Sequence, residues 1–361
     1  MIDKDQARRT KVNLYFNGVD VTEQLQPYFL SLTYLDVQED EADDLQLEFM
    51  DAPLNDPMAP GVWVQSWLNQ AVDAAAGRGM SIRAEIVRQN WNGDGAEDKL
   101  DTGLFELDSV DVSGPPAVVT IKCTALPFTA QFRQTEKCKA WESYNLSGIA
   151  SEMAGNNGMS CMFLAASDPF YDRVEQYETT DIAFLQQLCH DAGLSLKATN
   201  QQIVVFDQVD YESKAPVKTI KRGDGSYTDY TLSTSTADTQ YQSCRVWYND
   251  LTSASVIEGI AYCDDYDSTK EGNEQLDLNR KVGSAGEAKA LAEKNLRLHN
   301  KFERLVSFSM AGDTTLLAGL TIQTEDWGGW DGKSIITKAK HRVSNDGYRT
   351  DIVARRVLEG Y

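Results

Sequence analysis

Three residue types of a thiol-based catalytic centre stand in a row at Cys189, His190 and Asp191. In such a centre a thiolate attacks, an imidazole moves the proton and a carboxylate orients the imidazole. Apolar residues at helical spacing precede this run, so the segment from Asp181 predicts an amphipathic helix that ends at Gly193. Neighbours on one helix point about 100° apart and cannot converge. We therefore interpret Cys189 as a small buried hydrophobe and the other two as residues of the last helical turn.

Other groups suited to catalysis or metal binding are few. The chain has three histidines, His190, His299 and His341, and we interpret each as structural or exposed. The six cysteines form no C-x-x-C pair and no Cys/His cluster at zinc spacing. The sequence has no nucleophile elbow, no H-E-x-x-H motif and no Gly-rich phosphate loop. We therefore predict no enzymatic activity, no cofactor and no bound metal.

The charge balance is strongly acidic. Among 361 residues, 55 are acidic and 34 basic, which gives a net charge of −21. This opposes specific nucleic-acid binding, because contacts to phosphates depend on clustered Lys and Arg. A conduit that must pass DNA without retaining it would nevertheless benefit from repulsion. No apolar run approaches a membrane span of roughly 18 residues, and the N-terminus lacks a signal-peptide pattern, so we expect no membrane insertion and cytoplasmic synthesis.

Alternating apolar residues and turn signals predict a mainly β protein of the α+β class. Residues 1–125 are rich in strands and predict an antiparallel barrel or sandwich. Residues 126–210 predict a small α/β module, with a helix at 141–153. Residues 211–361 return to β structure and include one helix at about 285–299, whose start carries the capping-box residues Ser284 and Glu287.

Two polar stretches are interpreted as loops. The acidic run at 38–44 is predicted to be a solvated loop tip. The turn-rich tract at 212–240 is predicted to be a long loop or linker. Two further stretches, which begin at Gly103 and at Lys333, are each predicted to form a strand, a turn and a second strand. Their similarity suggests two related β domains, one on either side of the α/β module.

The order of these pieces resembles a known family. The features concerned are the β-rich N-terminal region, the 141–153 segment, YETTDIAFLQQLCHDAGLSLKATNQQIVVFD, SAGEAKALAEKNLRLHN and TIQTEDWGGWDGKSIITKAKHRVSNDGYRTDIVARR. Together they look like the phage late control protein D family, the baseplate hub proteins of contractile phage tails and tailocins. The N-terminal hub part of type VI secretion spike proteins is similar. The resemblance covers most of the chain and is most specific at about 175–207.

The resemblance implies an architecture and partners. Family hubs are homotrimers with two antiparallel β-barrel tube-type domains per chain, here 1–125 and 211–361, and the module 126–210 would connect them. Such a trimer joins the hexameric tail tube protein to the trimeric central spike protein, contacts other baseplate proteins and lines a channel. The implied location is the baseplate of a virion tail. Type VI spike proteins continue into further domains, whereas this sequence stops at Tyr361, so we expect a separate spike protein.

Two other functions remain open from the sequence. A β-rich receptor-binding or carbohydrate-binding tail module could use Trp327 and Trp330 of the DWGGWDG loop as exposed stacking residues. The same two tryptophans fit equally well as anchors of a subunit interface. A peptidoglycan-degrading tail enzyme is the remaining alternative, and the sequence shows no motif that supports it.

Overall fold

Strands account for most of the structure. The computed structural model describes residues 7–50, 79–93, 95–126, 132, 135–199, 201–235, 240–250, 254–263, 266–269 and 272–358. The strands of the N-terminal region are β1 Arg9–Phe16, β2 Val19–Asp20, β3 Phe29–Val37, β4 Asp44–Met50, β5 Ser81–Gln89, β6 Glu97–Ser113 and β7 Val118–Thr124. A short helix α1, Thr22–Leu25, and a 3-10 turn, Gln26–Tyr28, separate β2 from β3.

Helices and short strands alternate in the middle of the chain. The elements are β8 Lys137–Asn145, α2 Leu146–Asn156, β9 Ser160–Phe163, β10 Phe170–Thr179, α3 Asp181–Asp191, β11 Ser195–Ala198, β12 Gln202–Phe206 and α4 Gln208–Glu212. The C-terminal part contains β13 Lys218–Lys221, β14 Asp229–Thr234, β15 Ser243–Asp250, β16 Ser255–Tyr262, β17 Gln275–Asn279, α5 Ala285–Asn300, β18 Arg304–Ala311, β19 Thr321–Glu325, β20 Gly332–Ser344 and β21 Gly347–Arg356. A 3-10 turn, Gly328–Trp330, precedes β20.

One large sheet runs through both ends of the chain. Its strand order is β14-β18-β21-β20-β3-β4-β7-β6-β5-β1-β2, with β19 on β20 and β13 on β19. The two halves meet where β3 pairs with β20, from Val37 opposite Lys338 to Ser31 opposite Ser344. The sequence predicts two separate barrels, whereas the described strands of both β regions contribute to one large open sheet, and β15, β16 and β17 form a smaller sheet of their own. The mainly β, α+β class is confirmed.

Four hydrophobic cores lie in the described part of the chain. The first packs β1 and β3–β7, with Leu47 and Phe49 fully buried. The second packs α2 and α3 on β11 and β12. The third lies between β18–β21 and β13, and the fourth between α5 and the sheet β16-β15-β17. The described C-terminal region thus holds two cores, one under the large sheet and one under α5.

Several predicted elements can be compared directly with the structure. The helix that precedes Gly193 and the helix near 285–299 are confirmed as α3 and α5, and Ser284 Oγ accepts a bond from the Glu287 amide. The predicted helix at 141–153 is wrong at its start, because Trp141 lies on β8 and α2 begins at Leu146. The tract at 212–240 is also wrong as a linker, because it contains β13 and β14.

Candidate functional site

The Cys-His-Asp run does not form a reactive centre. Cys189 is 1% exposed, and burial raises the pKa of its thiol to about 12. His190 is exposed on the other side of the helix end, and Asp191 accepts a hydrogen bond of 2.8 Å from Arg280 Nη2. The three side chains therefore diverge into a core, solvent and an ion pair. The interpretation of Cys189 as a buried hydrophobe is confirmed.

The other two histidines lie in packed surroundings. His299 is half-buried on α5, with its ring 5.6 Å from Tyr241. His341 is fully buried on β20, where Nδ1 lies 2.7 Å from the Tyr348 hydroxyl and Nε2 lies 2.9 Å from the Leu316 carbonyl oxygen. Burial lowers the pKa of His341 to about 4, so its ring is neutral near pH 7. Both positions are structural in character.

Trp327 is a core residue and not an exposed stacking residue. It is 5% exposed and packs in the third core against Tyr227, Tyr230 and Phe308, with ring centroids 4.8–5.3 Å apart. Its indole N–H donates to the Ile220 carbonyl over 3.1 Å. The expectation that Trp327 is exposed is therefore wrong. Two glycines beside a tryptophan indicated a surface loop, but the side chain folds back under it.

Trp330 differs from its neighbour three residues earlier. It is half-buried at the end of the 3-10 turn, packs against the rim of the third core and donates to the Ser233 carbonyl over 3.4 Å. Part of its ring therefore remains available to another molecule. Of the two tryptophans, Trp330 is the one whose position suits an interface.

The prediction that the acidic run at 38–44 is a solvated loop tip is wrong for two of its five acidic residues. Asp43 is 6% exposed, accepts from the Val37 amide over 2.8 Å and lies 3.1 Å from Lys197 Nζ. Glu39 is also largely buried, and Lys301 Nζ donates to it over 2.7 Å. Burial opposes ionisation of Glu39, but Lys301 and Ser195 outweigh it and hold its pKa below the usual value. Part of this acidic segment, predicted to be a surface loop, is therefore buried in the protein.

Glu39 belongs to a cluster that we name the buried polar junction. Its members carry two carboxylates, three cations and two neutral polar groups, all largely buried: Glu39, Ser195, Gln208, Glu212, Arg297, Lys301 and Arg355. They come from the β3–β4 connection, β11, α4, the end of α5 and β21. The cluster therefore ties together segments from every core region of the chain.

The bonds within the junction are continuous. Ser195 Oγ donates to Glu39 over 2.5 Å, and the Gln208 amide also donates to Glu39. Arg355 Nη2 donates to Gln208 Oε1 over 2.6 Å and also to Glu212. A buried charge is tolerated when it is paired and hydrogen-bonded in this way, and it becomes costly when one partner is removed. The junction thus favours one relative placement of the segments it joins.

The described residues form neither a metal-binding cluster nor a membrane-spanning helix. No group of three or more His, Cys, Asp or Glu residues is placed to hold a metal ion in the described part of the chain. Among the same residues, no helix has the length and apolar character needed to cross a membrane.

This chain is similar to known proteins in its structure. No family model and no curated protein matches the sequence. A tail protein from Neisseria meningitidis MC58 is similar over 96% of this chain and 96% of its own, with a TM-score of 0.67 and 11% identity. The 43 kDa tail protein of prophage MuSo2 from Shewanella oneidensis is similar over 96% and 97%, with a TM-score of 0.61 and 12% identity.

A third solved structure with a similar fold comes from a secretion system. It is an E. coli component of the type VI secretion system, described as structurally similar to T4 bacteriophage tail proteins. It covers 92% of this chain and 75% of its own, with a TM-score of 0.54 and 11% identity. The resemblance inferred from the sequence is confirmed at the level of fold. Over nearly its full length, the chain has the fold of phage tail proteins and of a type VI secretion component.

Proposed function

We propose that this chain is the structural hub of the baseplate of a contractile phage tail or tailocin. In this role it forms a homotrimer that joins the hexameric tail tube to the trimeric central spike, lines the channel between them and contacts other baseplate proteins. The observation that carries the proposal is the large sheet, which runs through both β regions in a chain with the fold of phage tail proteins.

The joined sheet supports the change of symmetry that such an adaptor needs. Regions 1–125 and 211–361 would each act as one tube-type domain, with 126–210 as the connecting module. The β6–β7 hairpin of the first region and the β20–β21 hairpin of the second both contribute long antiparallel strands to the sheet. Three chains with two such domains each would present six similar units to a six-fold tube and a three-fold face to a spike.

The buried polar junction supports the role of a rigid structural adaptor. A channel that connects two other assemblies must keep its modules in a fixed arrangement. Paired charges buried between segments distant in sequence favour one arrangement, because any displacement leaves a charge without its partner. The burial of Cys189 and His341 agrees with a non-enzymatic role for these residues.

The charge of the chain supports passage of DNA and not its retention. Because each chain carries a net charge of −21, the trimer would repel phosphates at long range. Exposed cations do occur on the face of the large sheet opposite the cores, at Lys122, Lys340 and Arg342. Local contacts with a passing polymer would therefore be weak and dependent on salt.

The experiment that tests the proposal is reconstitution. The purified chain is measured by light scattering after size exclusion, imaged by negative stain, and mixed with the tube protein and the spike protein of a contractile tail. We expect a mass of three chains, a ring with a central channel, and capture of both partners. A chain that remains monomeric and binds neither the tube nor the spike protein would contradict the hub function.

A further inference from the structure

A small cavity lies beside Gln38, at a point where distant parts of the chain meet. Its walls come from the residue after β3, from β11 and β12, from α4 and from the connection before β19, and its volume is about 120 Å³. A protein cavity of about 150 Å³ holds one benzene molecule. The space beside Gln38 is therefore large enough for a group of about five heavy atoms.

Gln38 is the unusual member of the cavity wall. Its side chain belongs to a residue that is 4% exposed, and neither the nitrogen nor the oxygen of its carboxamide has a hydrogen-bond partner among the described residues. The backbone N–H of Gln38, in contrast, donates to the Thr337 carbonyl over 2.9 Å. A buried carboxamide without partners is costly, and it offers two donors and one acceptor to a group that approaches it. Gln38 is therefore placed to recognise a group that has both a donor and an acceptor.

The charges around the cavity favour a neutral ligand. Lys197 lines the cavity, but its Nζ already lies 2.7 Å from Asp36 and 3.1 Å from Asp43. The Ala318 amide, also at the cavity, donates to the other oxygen of Asp36 over 2.8 Å. An anionic ligand would be repelled by these two carboxylates, and a cationic ligand would be repelled by the ammonium. A neutral group with a donor and an acceptor, such as a primary carboxamide, suits this site.

The remaining wall and the surface beside it are apolar. Val204, Phe206 and Tyr211 line the cavity. Val204 on β12 lies directly opposite Met162 on β9, so the two share the face of their sheet that points away from the second core. Met162 is 42% exposed, and Leu164, two residues further on, is 43% exposed. The cavity therefore adjoins an exposed apolar patch.

We infer that this cavity receives the side-chain carboxamide of an Asn or Gln residue of a partner protein, whose apolar neighbours cover Met162 and Leu164. The carboxamide pairs with that of Gln38 through two hydrogen bonds, one donated in each direction. A protein is the source because the exposed patch beside the cavity is apolar and suits a protein contact. The inference goes beyond the hub function and does not depend on it.

Three small probes of equal size test the chemistry of the site. Propionamide, propionate and butanone have the same arrangement of heavy atoms, but only propionamide is neutral and has both a donor and an acceptor. Binding to the full chain is measured by saturation-transfer NMR at millimolar concentrations. We expect saturable binding of propionamide, and binding of propionate and butanone that is weaker by at least about tenfold.

Two variants locate the binding. Gln38→Met removes both hydrogen-bonding groups and keeps the length of the side chain, so it should weaken propionamide binding by at least about tenfold. Gln187→Met makes the same chemical change at an exposed position on α3 and should leave binding unchanged. No saturable binding of propionamide, equal binding of butanone, or equal binding to Gln38→Met would overturn the site.

Capped peptides identify the source of the carboxamide. Leu-Gln-Leu, acetylated and methylamidated, is compared with Leu-Met-Leu capped in the same way and with free glutamine. We expect the Gln peptide to displace propionamide and to bind more tightly than free glutamine, while the Met peptide does not displace it. Displacement by free glutamine but not by the Gln peptide would overturn the protein source and point to a small metabolite.

The stability of Gln38→Met separates recognition from a structural role. Because Gln38 makes no side-chain hydrogen bond within the described residues, its replacement by Met should leave the urea midpoint unchanged or raise it. A lower midpoint would show that the carboxamide stabilises the fold and would overturn its assignment as a recognition group. These results leave the hub function untouched, since that function is decided by trimer formation and by capture of the tube and spike proteins.

Discussion

Lys301 Nζ lies 2.7 Å from Glu39 Oε1, although 262 residues separate the two in the chain. Both side chains are at most 10% exposed. Changing Glu39 to Gln would leave the Lys301 ammonium buried without its counter-charge, and breaking a buried pair in this way costs about 3–5 kcal/mol. We expect Glu39→Gln to lower the free energy of unfolding by that amount, measured by urea denaturation.

The chain offers a matched control two residues away. Glu41 pairs with Lys338 over 2.7 Å, but these side chains are 59% and 43% exposed. Exposed pairs contribute roughly 0–1 kcal/mol, so Glu41→Gln should change the urea midpoint very little. Equal losses of stability in the two variants would contradict the assigned role of the buried polar junction.

The buried ring of His341 predicts a pH dependence. Its pKa is lowered to about 4 by burial, against about 6.5 in an unfolded chain, so between these values the unfolded state binds more protons. The stability contributed by the neutral ring is present above pH 6.5 and is lost as the pH falls toward 4. The loss amounts to about 3 kcal/mol.

His341→Gln serves to isolate this contribution. Asp43 has a pKa raised to about 6, chiefly by burial, and therefore shifts stability in the opposite direction over part of the same range. That effect is common to both proteins and cancels in the difference between their unfolding free energies. We expect the difference to shrink as the pH falls from 6.5 to 4 in denaturation series. A difference independent of pH would show that His341 titrates normally in the folded protein.

Close packing of α5 on β16 depends on Gly259. A Cβ placed there would lie 2.2 Å from the Lys289 amide nitrogen and 2.6 Å from the Ala288 carbonyl carbon, both backbone atoms. Since neither can move without shifting the helix, Gly259→Ala should cost at least about 1–3 kcal/mol in unfolding experiments. Gly155→Ala is the control, because that helical glycine has no atom within 4 Å of the added methyl and should be neutral or slightly stabilising.

Local patterns in the sequence predicted much of the fold. The α3 and α5 helices followed from apolar spacing and from the cap at Ser284, and the β20–β21 hairpin followed from its turn residues. These are short-range signals, and they agree with the final packing. The pairing of β3 with β20 joins residues about three hundred positions apart, and no local pattern specifies which distant strands become neighbours.

The buried polar junction could not be predicted from the sequence for a related reason. Five acids within 38–44 are typical of a solvated turn, and nothing near Glu39 in the sequence indicates that Lys301 covers it. The prediction that Trp327 is exposed is wrong because a Gly-rich loop is typical of an exposed turn, whereas the tertiary fold surrounds this side chain with three aromatic neighbours. In both cases long-range packing overrode the local preference.

Thiol reactivity should separate the exposed cysteine from the buried ones. Cys138 is exposed, whereas Cys189 is buried with a pKa raised to about 12. Its thiolate fraction near pH 8 is therefore about a thousandfold below that of an ordinary thiol, and burial also blocks access. We expect iodoacetamide to modify Cys138 and spare Cys189 in the native chain, as read by peptide mass spectrometry. In urea, where the chain is unfolded, we expect Cys138 and Cys189 to be labelled to the same extent. Rapid modification of Cys189 in the native chain would contradict its assignment as an unreactive buried residue.

The two tryptophans of the DWGGWDG loop predict a separation of stability from assembly. Trp327 fills the third core, so Trp327→Ala should cost about 3–5 kcal/mol in unfolding free energy, as the loss of a large buried aromatic side chain does.

Trp330 is half-buried, and its replacement by alanine should be less costly for the isolated chain. If Trp330 anchors a subunit contact, its loss should weaken self-association by about 2 kcal/mol or more, which is roughly thirtyfold in the dissociation constant. Concentration-dependent light scattering measures this change. If self-association is unchanged in Trp330→Ala, Trp330 is not part of the subunit interface. If self-association weakens while the free energy of unfolding stays the same, Trp330 lies in that interface. A residue that acted only through the core would lower both the self-association and the free energy of unfolding.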